Sequence, residues 1–68
     1  MSGRKLVYER EMVCKTYWVV LNATPGGPEY LIYEYCRDTG LVQAVQRGKK
    51  DAVFLDKDDA ITFVKSLP

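Results

Sequence analysis

The chain has no histidine and only two cysteines, Cys14 and Cys36. A structural zinc site takes four soft ligands at short spacings, and these residues cannot supply them. Neither a Ser-His nor a Cys-His catalytic pair can be assembled. No catalytic residue, metal site or cofactor is therefore expected, and the chain reads as non-enzymatic. It also lacks any apolar run approaching the roughly 18 residues of a membrane span. The opening MSGRKLVYERE has no apolar stretch of the signal-peptide kind, so the expectation is a cytoplasmic protein with no membrane contact. Charge of one sign is missing too. Ten Lys and Arg stand against nine Asp and Glu, a formal net charge of +1, and non-specific nucleic-acid binding rests on clustered, uncompensated cations.

What is present is apolar surface. Hydrophobic residues make up 47% and charged residues 28% of the 68, the proportions of a folded domain rather than a disordered chain. The length gives a single domain, 1–68, with residues 1–4 expected to be flexible. A chain this short buries only about 60% of its unfolded surface. One core of that size supplies roughly 3–5 kcal/mol, which a partner subunit would supplement.

The middle of the sequence reads as strands separated by turns. Lys15 to Leu21, KTYWVVL, is dense in aromatic and β-branched residues, which suit a pleated, half-buried surface. NATPGGP, 22–28, has two prolines and two glycines and reads as an exposed loop. EYLIYEYC, 29–36, is the next strand, then a turn at Asp38-Thr39-Gly40 and a strand LVQAVQR over 41–47. The turn GKKD, 48–51, leads to a short strand over 52–55. Before all of these, 5–13 alternates well enough for a further strand, although Glu9-Arg10-Glu11 also suits a helix.

The end of the chain reads as a helix. Asp56 is a good N-cap, with Asp59 three residues on as a variant of the capping box. Ala60, Ile61, Val64 and Leu67, with Phe63 beside them, make one apolar stripe that faces a sheet. The expected fold is α+β: an antiparallel sheet of three to five strands packed against one C-terminal helix.

If the strands around 13–21 and 29–37 form a hairpin in which facing positions sum to 50, Val20 meets Tyr30, Trp18 meets Ile32 and Cys14 meets Cys36. Tyr17, Val19 and Leu21 then share the other face with Leu31, Tyr33 and Tyr35. A slip of one residue exchanges these partners. In either register both faces are apolar or aromatic, and one helix covers only one. The bland reading of the other is a set of half-exposed aromatics with their hydroxyls in water. The sharper reading is a contact surface for a protein partner or a second copy, with Tyr17, Trp18, Tyr33 and Tyr35 as candidates, since Tyr and Trp offer large rigid area with a polar tip.

Several short motifs have plainer explanations. Asp38-Thr39-Gly40 spells the active-site triplet of retroviral-type aspartic proteases, whose two carboxylates share a proton. Here it follows Tyr-Cys-Arg rather than an apolar pair, and a three-residue hairpin loop with a left-handed glycine accounts for it. Asp56 to Asp59 lacks the glycine and glutamate of a calcium loop, because Ile61 and Leu67 stand at those positions. PGGP lacks the spacing of a phosphate cradle. Cys14 and Cys36 are expected to be reduced thiols acting as small hydrophobes.

The alternative function is nucleic-acid binding, with Arg47, Lys49 and Lys50 around the GKKD turn joined to the sheet aromatics. In expected architecture the chain resembles the arm-site domains of tyrosine integrases and plant AP2-type domains, which bind DNA through a sheet backed by one helix. Their sheets are rich in Arg, whereas this one offers Glu34, Gln43 and Gln46.

Overall fold

The computed structural model describes residues 3–68. The fold is α+β: an antiparallel sheet with a helix at its C-terminal end. Strand β1 (Arg4–Glu11) pairs with β2 (Lys15–Thr24), which pairs with β3 (Gly27–Cys36). The far side of β3 is shared by two short strands, β4 (Leu41–Ala44) along one half and β7 (Val53–Phe54) along the other. Between them the chain leaves the sheet as a small hairpin of β5 (Gln46–Arg47) and β6 (Lys50–Asp51). The helix α1 spans Lys57–Ser66.

The β2–β3 register differs by one residue from the expected one. Facing positions sum to 51: Trp18 opposes Tyr33, Val19 opposes Ile32 and Val20 opposes Leu31. The cause lies in the turn. Both strands run further than expected, to Thr24 and from Gly27, so only Pro25 and Gly26 remain as loop. Proline fixes φ near −65° and pre-sets the first central turn position, and Gly27, not Gly26, takes the positive φ, 120°. A tight turn centred between residues 25 and 26 dictates the sum.

That register sorts the side chains. On one face Tyr17, Val19 and Ile32 pack with Ala52 and with Ala60 and Val64 of the helix, forming the buried core. Tyr8, Tyr30, Phe54, Phe63 and Leu67 close around it. A bulge in β1 between Leu6 and Tyr8 adds one residue against β2, and both Val7 and Tyr8 pack on the core.

The sequence expectation for the first strand holds, over Arg4–Glu11. Residues 1 and 2 of the stretch expected to be flexible lie outside the described residues. Gly3 and Arg4 are in the ladder: the Gly3 carbonyl accepts from the Ala23 N–H at 3.2 Å, and Arg4 faces Asn22. The strand expected over 41–47 is broken at Val45, whose N–H still donates to Ile32 O (2.9 Å) while its carbonyl accepts from Ala52 N (2.9 Å). The turn before it holds four residues, Arg37 to Gly40, and Gly40 is left-handed at φ 75°.

The helix begins as its sequence indicates, with one difference: the Asp56 side chain takes the Asp58 N–H, two residues on, rather than that of Asp59 as the capping box would have it. Asp56 caps it by accepting from the Asp58 N–H at 3.4 Å. Asp58 and Asp59 in the first turn and Lys65 in the last suit the dipole. The other end is held from outside: the Arg10 guanidinium donates to Leu67 O at 2.9 Å and, at 2.6 Å, to Val64 O, which also accepts from the Leu67 N–H at 3.2 Å.

Candidate functional site: an open aromatic sheet face

Strand alternation puts Trp18, Val20, Leu31, Tyr33 and Tyr35 on the face opposite the helix, with Leu6 from β1 and Val42 from β4 beside them. None of these belongs to the core cluster. Leu6 and Val42 are each 52% exposed, and the other five are half-buried by one another. The helix α1 packs on the other side.

The centre of this face is a ring stack. The Trp18 indole lies on the Tyr35 ring with centroids 5.4 Å apart and planes 9° from parallel. Trp18 Nε1–H donates to Glu9 Oε2 at 2.8 Å, which fixes the indole from its β1 side. Glu11 reaches Arg37 in an ion pair of 3.0 Å. In the ladder Thr16 stands between Glu11 and Tyr35, and it is buried. At the opposite end Asn22 Nδ2 donates to Glu29 Oε1 at 3.0 Å. The polar groups thus stand at the margin of an apolar centre.

The four aromatic candidates thus separate. Trp18, Tyr33 and Tyr35 share the open face, whereas Tyr17 is 5% exposed in the core on the helix side. The expected grouping of Tyr17 with Tyr33 and Tyr35 came from the register that sums to 50, and the one-residue shift reverses it. Leu6 and Val42, which complete the patch, carry little signal in the sequence, because their placement depends on the β1 bulge and the β4 register.

The basic candidates lie elsewhere. Arg47 and Lys50 pair with each other at the end of the β5–β6 hairpin, with Lys49 in its turn. Arg47 stands over the Phe54 ring at 4.8 Å, and Phe54 packs against Phe63 of the helix at 5.3 Å between centroids. This cation therefore belongs to the helix side, away from Trp18 and Tyr35.

On that side a shallow cleft of about 380 Å³ is lined by Tyr17, Glu34, Gln43, Ala44, Val45 and Gln46. Glu34 is already engaged there, with Lys15 at 3.3 Å and Gln43 at 3.2 Å. Hydrogen bonding with Tyr17, and secondarily with Glu34, holds the Lys15 amine above its ordinary pKa.

Cys14 and Cys36 are both free thiols. They do not face each other, contrary to the expected pairing: Cys36 opposes Lys15, and the Cys14 carbonyl accepts from Arg37 N. Hydrogen bonds from the Thr39 hydroxyl, then from the backbone N–H groups of Thr39 and Asp38, lower the Cys36 pKa. Among the described residues no helix is long and apolar enough to cross a membrane.

Set against protein-family models, curated proteins and solved structures, the chain matches none.

Proposed function

We propose that this domain is a non-enzymatic interaction module that takes a protein partner on its open sheet face, with Trp18, Tyr33 and Tyr35 as the anchors. The observation that carries this reading is the Trp18–Tyr35 stack, pinned by Glu9 and surrounded by Leu6, Val20, Leu31 and Val42 on a face the helix does not cover. A preorganised aromatic surface loses little conformational entropy on binding, which leaves more of its burial as affinity. Nucleic-acid binding is the weaker reading. The acidic residues Glu9, Glu11 and Glu29 border the aromatics, while Arg47, Lys49 and Lys50 sit on a separate hairpin.

The test is site-specific photo-crosslinking in extracts of the source cells. A photoreactive phenylalanine replaces Tyr33 in one sample and exposed Asp58 on the helix in another. A discrete protein adduct from position 33, absent from position 58, supports the reading. The same faint adducts from both positions, or none from 33, refutes it. Oligonucleotide titration at low and high salt, followed by Trp18 fluorescence, tests the alternative, because phosphate binding weakens steeply with salt.

A further inference from the structure

The sheet has two long edges, and they are built differently. Five of the eight residues of β1 are charged (Arg4, Lys5, Glu9, Arg10 and Glu11), and a bulge interrupts the strand at Val7. Charge and bulges are how a sheet edge avoids pairing with another strand. The other edge, β4, reads Leu-Val-Gln-Ala, carries no charge, and is exposed throughout, Leu41 at 67%. Among the described residues no strand pairs with its outer side.

The direction of its backbone groups follows from one hydrogen bond. Val45 N donates to Ile32 O, so by antiparallel alternation Gln43 and Leu41 aim at β3, and Val42 and Ala44 aim their N–H and C=O groups away from the sheet. A strand added outside must use those two residues. A two-fold axis normal to the sheet through Gln43 pairs Val42 with the second copy's Ala44 and Ala44 with its Val42, forming four hydrogen bonds. It also keeps open face beside open face.

Charge favours the same occupant. In that register Leu41 lies opposite the second copy's Val45, which brings the Arg37–Gly40 turn of each copy alongside the β5–β6 hairpin of the other. The hairpin carries Arg47, Lys49 and Lys50 against the single carboxylate of Asp51. In the turn, Arg37 is paired with Glu11, which leaves the exposed Asp38 as the charge the turn presents. We infer that β4 is a self-association edge: two copies join antiparallel through Val42 and Ala44, with Asp38 of each against the basic hairpin of the other. The two open faces then lie side by side as one platform. The inference stands on the β4 edge and does not depend on what the open face binds.

Sedimentation of the full chain from about 10 µM to about 1 mM spans the affinities expected of a contact this small. The expected result is a monomer–dimer equilibrium within that range. Asp38→Lys weakens it about tenfold, Asp38→Lys combined with Lys49→Asp restores it, and Tyr33→Ser leaves it unchanged. Amide exchange reads the edge without mutation. Val42 and Ala44 exchange fast in dilute protein and slow as the dimer fills, while Gln43, bonded into the sheet, is slow at both concentrations. A monomer throughout the range overturns the inference. So does a dimer in which Val42 and Ala44 still exchange fast, or one lost with Tyr33→Ser and indifferent to Asp38→Lys.

Discussion

Val19 and Val20 are neighbours in sequence and lie on opposite sides of the sheet. Val19 is fully buried against the helix side, and Val20 stands half-exposed beside Trp18 and Leu31 on the open face. The same deletion of two methyl groups therefore tests the register. Val19→Ala leaves a cavity in a core that cannot easily collapse and costs about 2 kcal/mol, whereas Val20→Ala costs less than about 1 kcal/mol. Urea unfolding of the two variants measures the difference. Equal costs would mean that the faces are wrongly assigned.

Arg10 closes the last turn of the helix through two carbonyls. Arg10→Ala takes the donor from Leu67 O, leaves Val64 O with only the Leu67 N–H, and destabilises the domain by about 1–3 kcal/mol. A single nitrogen, Nη1, makes both bonds, so Arg10→Lys recovers only part of that because its ammonium, able to donate twice, ends one atom short of the Nη1 position. Amide exchange in residues 64–67 rises before the rest of the helix is affected, which identifies the cap as the cause.

The indole of Trp18 and the ring of Tyr35 should be energetically coupled. A double-mutant cycle with Trp18→Leu and Tyr35→Leu is expected to give about 0.5–1.5 kcal/mol beyond simple area burial. A coupling near zero would show that the two rings do not act as one unit in solution.

Cys36 should be the more reactive thiol between pH 7 and 8 although Cys14 is the more exposed. Donors from Thr39 and Asp38 favour its thiolate, so the midpoint of its alkylation rate falls below the ordinary 9.0. The sign for stability follows: a depressed folded pKa contributes stabilisation that is present above the unfolded pKa and lost as pH falls through the folded one. Thr39→Val moves the midpoint back up. If Cys14 alkylates faster throughout, the turn does not hold the thiolate.

Lys15 has the opposite dependence. Its folded pKa is raised by Tyr17 and Glu34, so its stabilisation is complete below 10.5 and fades as pH rises through the folded value. Lys15→Met removes that alkaline component from the thermal melting profile.

Much of this fold is written locally. The aromatic and β-branched density of 15–21 and 29–36, the Asp56 cap and the apolar stripe of the helix each specify an element using neighbours a few residues away. The register is also local, but it depends on reading Pro25-Gly26 as the two central residues of a tight turn within a run that otherwise looks like seven residues of loop. That single residue moved Tyr17 from the aromatic patch into the core. The remaining features depend on distant partners. Nothing near Val7 announces a bulge whose use is to turn Val7 and Tyr8 together towards the core. Nothing near Val45 shows that the chain leaves the sheet there and returns at Val53, because the edge of β3 that accepts both pieces lies elsewhere in the sequence. The open face was legible as a surplus of apolar residues, and its membership only from the ladder.

The bonds from Arg10 to Val64 and Leu67 join positions 54 and 57 residues apart. During synthesis the β2–β3 hairpin can form as soon as it emerges, but the helix has no terminal clamp, and β1 no helix to hold, until residue 67 is free. Docking of the helix is therefore a late event that must search over nearly the whole chain, and contacts of such separation slow folding. Until then the core and the aromatic face are exposed together on both sides of one sheet, and this is the interval in which the nascent chain is most open to association with its neighbours.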